Sequence, residues 1–366
     1  MGLLRLGLAL AVLLGHLPLA SYQFINAAAA VQGFYVVSGF YMALVLDGKY
    51  KRVGLFYSNR LLRIFPTYFV MMVIAAIALW GFNSSATSAP SVFQTAFSNP
   101  TTAIVMGFEN LFILGQEMLF WFTIQPDGSL AFNTTGALPD ETTTLGWQAL
   151  LEPQAWSLSI ELMFYALAPF LARLNWKWLA AIAVASIALR LSGPLIPGVN
   201  YGIWAGRLFP TALFLFLFGM LAHKALPFAT RLPKVVGWIV NALILAMVVA
   251  LPLSGIPGPI QRWIVYFAIA IAAPFLFNAF KDNALDRWIG DLSYPMYLCH
   301  LVVVGFVLTF WANEPWALWV AIGGAFALSI ALLVLVDHPV DRWRQRRAGT
   351  TREPASAPGA ATIAPL

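Results

Sequence analysis

The sequence predicts an all-α polytopic membrane protein of about ten transmembrane helices, at roughly 20 residues per crossing. Of its 366 residues, 60% are hydrophobic and only 10% are charged, whereas soluble globular proteins carry about 25% charged residues. Long unbroken apolar runs exclude a transmembrane β-barrel, whose strands alternate over roughly ten residues. The 14% aromatic content excludes a disordered chain, because disordered segments are rich in charge and poor in aromatic residues.

The apolar runs and their polar flanks give ten candidate spans. If the chain begins in the cytoplasm, all but three of the 21 Lys and Arg residues fall on the cytoplasmic side. Because positive charge is retained inside, we expect both termini to be cytoplasmic. The net charge of +6 then reflects orientation and not a nucleic-acid partner. The spans lie near residues 3–22, 32–47, 64–82, 157–172, 176–192, 207–223, 235–252, 260–280, 289–310 and 316–336.

Residues 83–156 are expected to form a long outer loop, rich in Ser, Thr, Asn, Pro and Gly and without Lys or Arg. Within this loop, 103–123 is apolar enough to cross the membrane. A crossing there would move most later basic residues outside, so we interpret the stretch as a re-entrant or surface-lying helix. A large loop on that side suggests a partner or substrate there. At the far end, the Ala/Pro/Thr-rich residues 348–366 are expected to be a disordered cytoplasmic tail.

An ionisable side chain within a membrane span is a functional candidate by default. His16 follows Arg5 by 11 residues, or about 16 Å along a helix, so Arg5 marks the inner mouth and His16 lies near mid-membrane. A neutral imidazole there can take a proton from a hydroxyl. A structural histidine bonded to another helix fits the same position. Arg5 and the apolar run after it also fit a signal peptide, although His16 and Pro18 interrupt that run.

Arg60 and Arg63 form an i, i+3 pair just before Pro66, where the third span is predicted to begin. This spacing puts both guanidinium groups on one helical face, and two arginines at a cytoplasmic mouth can bind phosphate groups. Ordinary anchoring to lipid headgroups explains the same spacing.

Trp156, Ser157 and Glu161 begin the fourth span at its outer end. Glu161 lies about 7.5 Å deeper than Trp156. A carboxylate at that depth needs a partner, which can be a cation, a sugar hydroxyl or a histidine. An ion pair with Arg190 or Arg207 is the structural alternative.

His300 lies in the ninth span, 11 residues from its cytoplasmic end. It is either a second functional histidine or a hydrogen-bonding residue within the bundle. The sequence contains no P-loop, dinucleotide glycine fingerprint, Gly-x-Ser-x-Gly elbow or HExxH motif. Cys299 is the one cysteine, so neither an intramolecular disulfide nor a Cys-based metal cluster is expected, and we expect no metal cofactor.

Six sequence motifs, taken in chain order, resemble those of the acyltransferase family 3 membrane proteins. The family patterns are Arg with His 11 residues later, Phe-Phe-x-x-Ser-Gly-Phe, Arg-x-x-Arg-Ile-x-Pro-x-Tyr, Trp-Ser-Leu-x-x-Glu, Tyr-Leu-x-His and a closing acidic-x-Pro segment with basic residues. The matching segments are LLRLGLALAVLLGHL, GFYVVSGFYMALVL, FYSNRLLRIFPTYF, WSLSIELMFYALAPFL, SYPMYLCHLVV and VDHPVDRWRQRR. The resemblance spans residues 3–347, so 1–347 is expected to be one acyltransferase-3-like transmembrane domain.

Several positions depart from the family pattern. An Asp often precedes the first Arg by three residues, and Gly2 stands there. Leu6 replaces a Gly, Leu162 replaces a second acidic residue, Cys299 replaces a Trp, and Asp337 replaces the closing Glu. These departures leave the subfamily open. Because the chain ends about 30 residues past its last span, we expect no added SGNH-type esterase domain, which some relatives carry.

The resemblance implies an O-acyltransferase of the bacterial inner membrane. Such an enzyme moves an acyl group, most often acetyl, from cytoplasmic acyl-CoA to a hydroxyl of an extracytoplasmic carbohydrate. The acceptor class includes lipopolysaccharide and exopolysaccharide units, free or lipid-linked, and the partners are that carbohydrate, acetyl-CoA and membrane lipids. A transporter or flippase of a lipid-linked glycan is the alternative, since the same charges could line its path. A scaffold in an envelope assembly is a third reading, and it would tolerate loss of His16.

The positions and chemistry of the candidate residues fit this activity and give each an expected role. His16 would be the general base, and Glu161 and His300 would orient His16 or the sugar. Backbone groups near Ser38 and Gly39 would stabilise the oxyanion. The expected donor-binding residues are Arg5, Arg60 and Arg63, and the expected substrate-binding residues are Ser38, Trp156 and Ser157.

Overall fold

The computed structural model describes residues 1–20, 22–48, 53–138 and 143–347. The predicted cytoplasmic residues Lys49, Lys51 and Arg52 and the predicted tail 348–366 lie outside that part. The first nine helices are α1 Gly2–Gly15, α2 Ala27–Gly48, α3 Val53–Phe82, α4 Pro90–Ser98, α5 Pro100–Phe112, α6 Trp156–Leu171, α7 Trp176–Leu191, α8 Tyr201–Arg207 and α9 Phe209–Lys224. The remaining helices are α10 Leu226–Ala229, α11 Lys234–Ala250, α12 Gly258–Phe280, α13 Ala284–Asp291, α14 Ser293–Trp311, α15 Ala317–Leu332 and α16 His338–Arg347.

Each predicted span coincides with helical structure, but the helices differ in length. Within the described part of the chain, six helical stretches are long and apolar enough to cross a membrane, or seven if α8 and α9, which meet at a bend of 43°, form one span. The protein is thus an all-α, multi-pass membrane protein. Helices α1, α6 and α7 have 14, 16 and 16 residues, fewer than the roughly 20 of a full crossing. Ten crossings and cytoplasmic termini therefore stay predictions.

The first helix is shorter than its predicted span of 3–22. It ends at Gly15, and His16 is its C-cap residue. Pro18 explains this end, because proline lacks a backbone N–H and disfavours helical geometry at the residue before it. His16 therefore lies at a helix end and not in the middle of a helix.

The third helix is longer than predicted. It begins at Val53 and contains Arg60, Arg63 and Pro66 in its interior. The prediction started this span at residue 64 because polar residues precede it. The helix extends further because these polar side chains are buried against other helices.

The segment between α3 and α6 folds into short elements. Helix α5 stops at Phe112, where Ile113 and Gly115 have positive φ angles of 66° and 102°, so 103–123 does not form one helix. A three-stranded antiparallel sheet follows, in the order β2-β1-β3, with β1 Phe122–Ile124, β2 Leu130–Phe132 and β3 Thr144–Leu145. The sequence did not predict this sheet, because strands of two or three residues are too short for an alternating pattern.

Helix α2 is the central helix of the bundle and packs closely on α9. A Cβ atom added to Gly39 would lie 1.9 Å from the carbonyl oxygen of Phe216, and one added to Gly219 would lie 2.0 Å from that of Val36. Small residues let two helix backbones approach this closely in membrane proteins. This packing fixes the face of α2 that carries Ser38.

The start of α1 is held by an acid from a distant helix. The backbone N–H groups of Gly2 and Leu3 donate to Asp286 over 2.8 and 3.1 Å, which caps the helix with a remote carboxylate. A Cβ atom on Gly2 would lie 1.6 Å from the carbonyl oxygen of Asp286. The glycine that departs from the family pattern is therefore required by this contact, and Asp286 supplies a carboxylate at this place.

Candidate active site

Two imidazole rings meet between α1 and α14. The ring centroids of His16 and His300 are 5.0 Å apart. His16 Nδ1 bonds the Val12 carbonyl over 2.8 Å, and His300 Nδ1 bonds the Tyr297 carbonyl over 2.6 Å. A ring nitrogen that bonds a carbonyl carries the hydrogen, so Nε2 of each neutral ring keeps its lone pair. Both rings are thus oriented as proton acceptors.

The two rings differ in access. His300 is 0% exposed, and its Nε2 has no hydrogen-bond partner among the described residues. His16 is exposed at the end of α1. His16 is therefore the more accessible of the two rings.

Glu161 is bound by two hydroxyl groups. Its Oε1 accepts a hydrogen bond of 2.6 Å from Ser38 Oγ on α2 and one of 2.5 Å from Tyr165 OH on α6. The alternative ion pairs do not form: Arg190 donates to Gln32 and to a backbone carbonyl, and Arg207 lies elsewhere. The carboxylate therefore has hydroxyl partners, which suits a group that exchanges protons or binds sugar hydroxyls.

A cavity, which we call the central cavity, opens between α1, α2, α6 and α14, with about 450 Å³ of space between the atoms, including space open to solvent. Its wall includes Arg5, Tyr35, Ser157, Glu161, Tyr294 and Tyr297. Ser157 Oγ lies 2.6 Å from Tyr297 OH, and the Tyr297 ring is 5.6 Å from the His300 ring. The cavity thus reaches the imidazole pair through Tyr297.

Arg5 brings a positive charge to the wall of the central cavity. It is 3% exposed, and its Nε and Nη2 atoms have no hydrogen-bond partner among the residues that the structure describes. Asp286 and Asp291 lie within electrostatic range of it. A buried guanidinium group with unused donors suits an anionic or carbonyl-bearing ligand.

The structure places Arg60 and Arg63 inside the bundle and not on an open cytoplasmic mouth. They are 2% and 4% exposed. Arg63 Nη1 forms an ion pair of 3.2 Å with Asp337, which Thr67 also contacts. The guanidinium of Arg60 lies 5.7 Å from the Phe56 ring centroid and 5.8 Å from that of Tyr165. Arg60 therefore lies beside the Glu161 network, and the guanidinium carbon of Arg63 lies 5.4 Å from the ring centroid of Tyr294, a residue of the central cavity wall.

The predicted oxyanion donors near Ser38 and Gly39 are not available. Both residues lie in the interior of α2, where backbone N–H groups bond the carbonyl four residues earlier. Both residues fall inside the predicted span 32–47, and the helix is continuous there. Only the Ser38 hydroxyl remains as a donor at this place.

Arg207 is a site residue that sequence reasoning set aside. Its guanidinium carbon lies 3.5 Å from the Phe120 ring centroid and 4.5 Å from the Trp156 ring centroid. No carboxylate within salt-bridge distance of it is found in the described part of the chain. His16, Tyr35 and Tyr297 lie within its electrostatic range. The sequence indicated it only as a basic residue of the outer side and as a possible ion-pair partner of Glu161.

Two buried acids precede α6. Glu152 is fully buried, burial raises its pKa well above the usual range, and one oxygen accepts from the Gln154 amide. Gln154 also donates to the Leu298 carbonyl over 2.7 Å. Burial also raises the pKa of Glu117, which bonds Ser159. Sequence reasoning took Glu152 for a loop acid, since nothing in its spacing indicates burial.

No group of three or more His, Cys, Asp or Glu side chains placed to hold a metal ion is found among the described residues. The arrangement of Glu161, His16 and His300 offers proton acceptors and hydroxyl partners. Its chemistry is that of proton transfer to and from oxygen.

Comparison with known proteins identifies the family of the chain. Residues 1–336 match the family model of the acyltransferase domain. The chain belongs to the acyltransferase 3 family. This acyltransferase is 25% identical over 347 residues to nodulation protein 10 of Rhizobium leguminosarum bv. viciae, with 88% of this chain and 84% of that protein covered. It is 24% identical over 343 residues to the exopolysaccharide production protein ExoZ of Rhizobium meliloti (strain 1021), with 89% and 93% covered. No solved structure matches the acyltransferase.

Proposed function

We propose that the acyltransferase moves an acyl group, most commonly acetyl, from cytoplasmic acyl-CoA to a hydroxyl of a carbohydrate outside the inner membrane of a bacterium. The observation that carries this proposal is the His16–His300 pair, in which both Nε2 atoms are left as acceptors and the His300 ring lies 5.6 Å from the ring of Tyr297 in the central cavity wall. The names of the two relatives, one for nodulation and one for exopolysaccharide production, support a surface carbohydrate as acceptor, free or lipid-linked.

In the proposed reaction, His16 Nε2 takes the proton of the acceptor hydroxyl as its oxygen attacks the thioester carbonyl carbon. The carbon–oxygen bond forms first, and the carbon–sulfur bond then breaks. The imidazolium returns the proton to the departing thiolate, which leaves as the free CoA thiol. His300, packed on the His16 ring, keeps that ring in place. General base catalysis of this kind contributes about 10²–10⁴ in rate.

The thioester is proposed to lie in the central cavity. Arg5 is the cation of its wall with unused donors, and Arg60 adds charge beside Tyr165. Arg63 contributes through its ion pair with Asp337, which holds α3 to the segment between α15 and α16. Glu161 and Ser38 stand at the edge of the cavity and bind either the pantetheine amides or the acceptor hydroxyls.

The acceptor is proposed to enter from the segment that precedes α6. Trp156 offers an aromatic face, and the Ser157 hydroxyl lies in the cavity wall beside Tyr297. An aromatic ring with hydroxyl and carboxylate groups nearby suits a sugar, which presents both C–H faces and hydroxyls. The exposed position of His16 lies on this approach.

Mass spectrometry of envelope glycans tests the function. We compare cells with the gene, cells without it, and cells that carry His16→Ala. If the protein is an acyltransferase, all three kinds of cell should contain the same glycans. The added mass of the acyl group should be missing in cells without the gene and in cells that carry His16→Ala. A transporter or flippase predicts a lower amount of mature glycan with its acylation pattern kept. That second result would contradict the proposal.

A further inference from the structure

A second cavity lies between α2, α6, α7 and α9, with about 620 Å³ of space between the atoms, including space open to solvent. We call it the basic cavity. Its wall includes Asp47, Arg173, Leu179, Met220, His223 and Lys224. None of these residues was predicted to bind a ligand. Arg173 and Lys224 are exposed at its rim, so their long side chains are able to reach a ligand in it.

His223 supplies the observation that points to a ligand. The side chain is 7% exposed and lines the basic cavity, yet its Nδ1 has no hydrogen-bond partner within the described ranges. Its ring packs edge-on against Phe40 at 5.8 Å. Buried polar atoms are nearly always hydrogen-bonded in folded proteins. An imidazole nitrogen left open at a cavity wall is therefore placed to bond a group that enters the cavity.

The basic cavity and the central cavity lie along the same two helices. On α2, the central cavity is lined by Val31 to Tyr35 and the basic cavity by Ala43 to Asp47. On α6, the central cavity is lined by residues from Ser157 to Glu161, and the basic cavity by Pro169 and the residues after it. At 1.5 Å per residue, about 12 Å of helix separates the two walls.

The polar contact between the two cavities is the network of Ser38, Glu161 and Tyr165, joined by bonds of 2.6 and 2.5 Å. Arg60 lies over the Tyr165 ring at 5.8 Å. A narrow chain with amide groups can follow such a seam by exchanging hydrogen bonds with it. A bulky, multiply charged group cannot, because the charges there are buried and few.

Acyl-CoA combines a narrow amide-bearing chain with a bulky, multiply charged group. One end is a nucleotide with three phosphate groups, the middle is a narrow amide-bearing arm, and the other end is the thioester. Arg60 and Arg63 are too deeply buried to receive the phosphates directly. The rim of the basic cavity has two accessible cations and one carboxylate, Asp47, and its apolar wall includes Leu179 and Met220.

We propose that the basic cavity binds the phosphorylated nucleotide end of the acyl donor, through Arg173, Lys224 and His223, while the arm runs along the α2–α6 seam to the central cavity. This inference rests on the proposed function, since it names a donor subsite for the same reaction. The Asp47 carboxylate lies in the same wall, within electrostatic range of His223, and favours a ribose hydroxyl or an amino group of the base over a phosphate.

The test compares two double variants. Arg173→Ser with Lys224→Ser alters the cavity rim. Lys177→Ser with Lys281→Ser removes two basic residues that do not line the cavity and serves as the matched control. Calorimetry in neutral detergent measures the affinity for CoA and for adenosine 3′,5′-bisphosphate. Because each charge-assisted hydrogen bond is worth roughly a tenfold to hundredfold change in affinity, we expect at least about tenfold weaker binding for the rim variant and no change for the control.

His223→Phe keeps the packing on Phe40 and removes the open nitrogen, so it should weaken CoA binding with unchanged thermal stability. Transfer from acetyl-pantetheine, which lacks the nucleotide, should be equal in the wild type and all three variants. Unchanged CoA affinity in the rim variant, or an equal loss with acetyl-pantetheine, would overturn the inference and leave the proposed function standing.

Two further outcomes separate the alternatives. If the rim variant loses affinity for phosphatidylglycerol nanodiscs and keeps its CoA affinity, the cavity binds a lipid headgroup and the inference is wrong. If the wild type transfers no acyl group from either thioester, the proposed function fails. The CoA affinities of the rim and control variants still decide the binding site in that case.

Discussion

The hydroxyl of Ser38 donates a 2.6 Å hydrogen bond to Oε1 of Glu161 and so joins α2 to α6 at the edge of the central cavity. Both residues are candidates from the sequence, but neither was expected to be the partner of the other. Their contact places a carboxylate and a hydroxyl where a substrate would exchange hydrogen bonds with them. The orientation of each side chain therefore depends on the other.

Ser38→Ala and Glu161→Gln should each lower the transfer rate roughly tenfold to a hundredfold, the effect of losing one hydrogen bond to a charged group. The double variant should be little worse than either single variant, because both remove the same contact. Initial-rate assays with acetyl-CoA measure this. Ser58→Ala, which loses only a local bond to Leu55 in α3, is the control. Full additivity of the two single losses would show that the residues act separately.

His16→Ala should insert and fold normally, still bind acyl-CoA, and transfer about 10²–10⁴ times more slowly. His16→Gln should be equally inactive, because an amide nitrogen cannot accept the proton. His300→Ala should cost less, since His300 is fully buried behind His16. Single-turnover rates and CoA affinity separate chemistry from binding. If His300→Ala loses more transfer rate than His16→Ala, His300 is the general base, and the proposed acyltransferase function still stands.

The Arg63–Asp337 pair should be chiefly structural. Removing one partner of a buried ion pair costs about 3–5 kcal/mol of folding stability, so Arg63→Met and Asp337→Asn should each lower the unfolding temperature in detergent. Together they should cost less than the sum of the two, and Arg63→Met should keep the CoA affinity of the wild type once folded. The sequence-based expectation was that Arg63 holds donor phosphates. A stable Arg63→Met variant with weakened CoA binding would restore that expectation.

The sequence located the helices and the chemistry-bearing residues better than it located their partners. Apolar runs give helix positions because the bilayer demands length and apolarity. The observed ends of α1 and α3 differ from the predicted ones. Pro18 ends α1 early through local backbone geometry, and the burial of Arg60 in tertiary packing lets α3 begin earlier. The contact of His16 with His300 and the pairing of Arg63 with Asp337 join segments far apart in the chain, and a single sequence contains no signal for such pairs.

The orientation of the chain in the membrane is predicted only from the distribution of its Lys and Arg residues, so it needs its own measurement. In a chain with Cys299→Ser, a cysteine at Ala137 should react with an impermeant maleimide in intact cells, and a cysteine at Ala225 should react only after permeabilisation. Both positions are exposed, so folding does not hide them. A cysteine at Ser356 should behave like the one at Ala225 if the tail is cytoplasmic. If the cysteine at position 225 reacts in intact cells, the chain has the opposite orientation. The basic cavity would then face away from the cytoplasm, where acyl-CoA is found.

Arg207 offers the sharpest test of how charge acts at the reacting centre. Its guanidinium group is held against Phe120 and Trp156 at 3.5 and 4.5 Å, and it lies within electrostatic range of His16. With the backbone of α2 committed to its own helix, we infer that this side chain stabilises an oxyanion next to His16.

Arg207→Met should therefore lower kcat about 10²–10³-fold, the loss expected for one oxyanion donor, with little change in the KM for acyl-CoA. Arg207→Lys should recover only part of the rate, because lysine keeps the charge but not the planar group that stacks on two rings. Arg262→Met, another arginine of the predicted outer side, is the control, and thermal stability checks folding. If Arg207→Met folds and loses no more rate than Arg262→Met, the charge serves only to pack the aromatic rings, and the oxyanion must be stabilised by Tyr297, Tyr35 or Ser157.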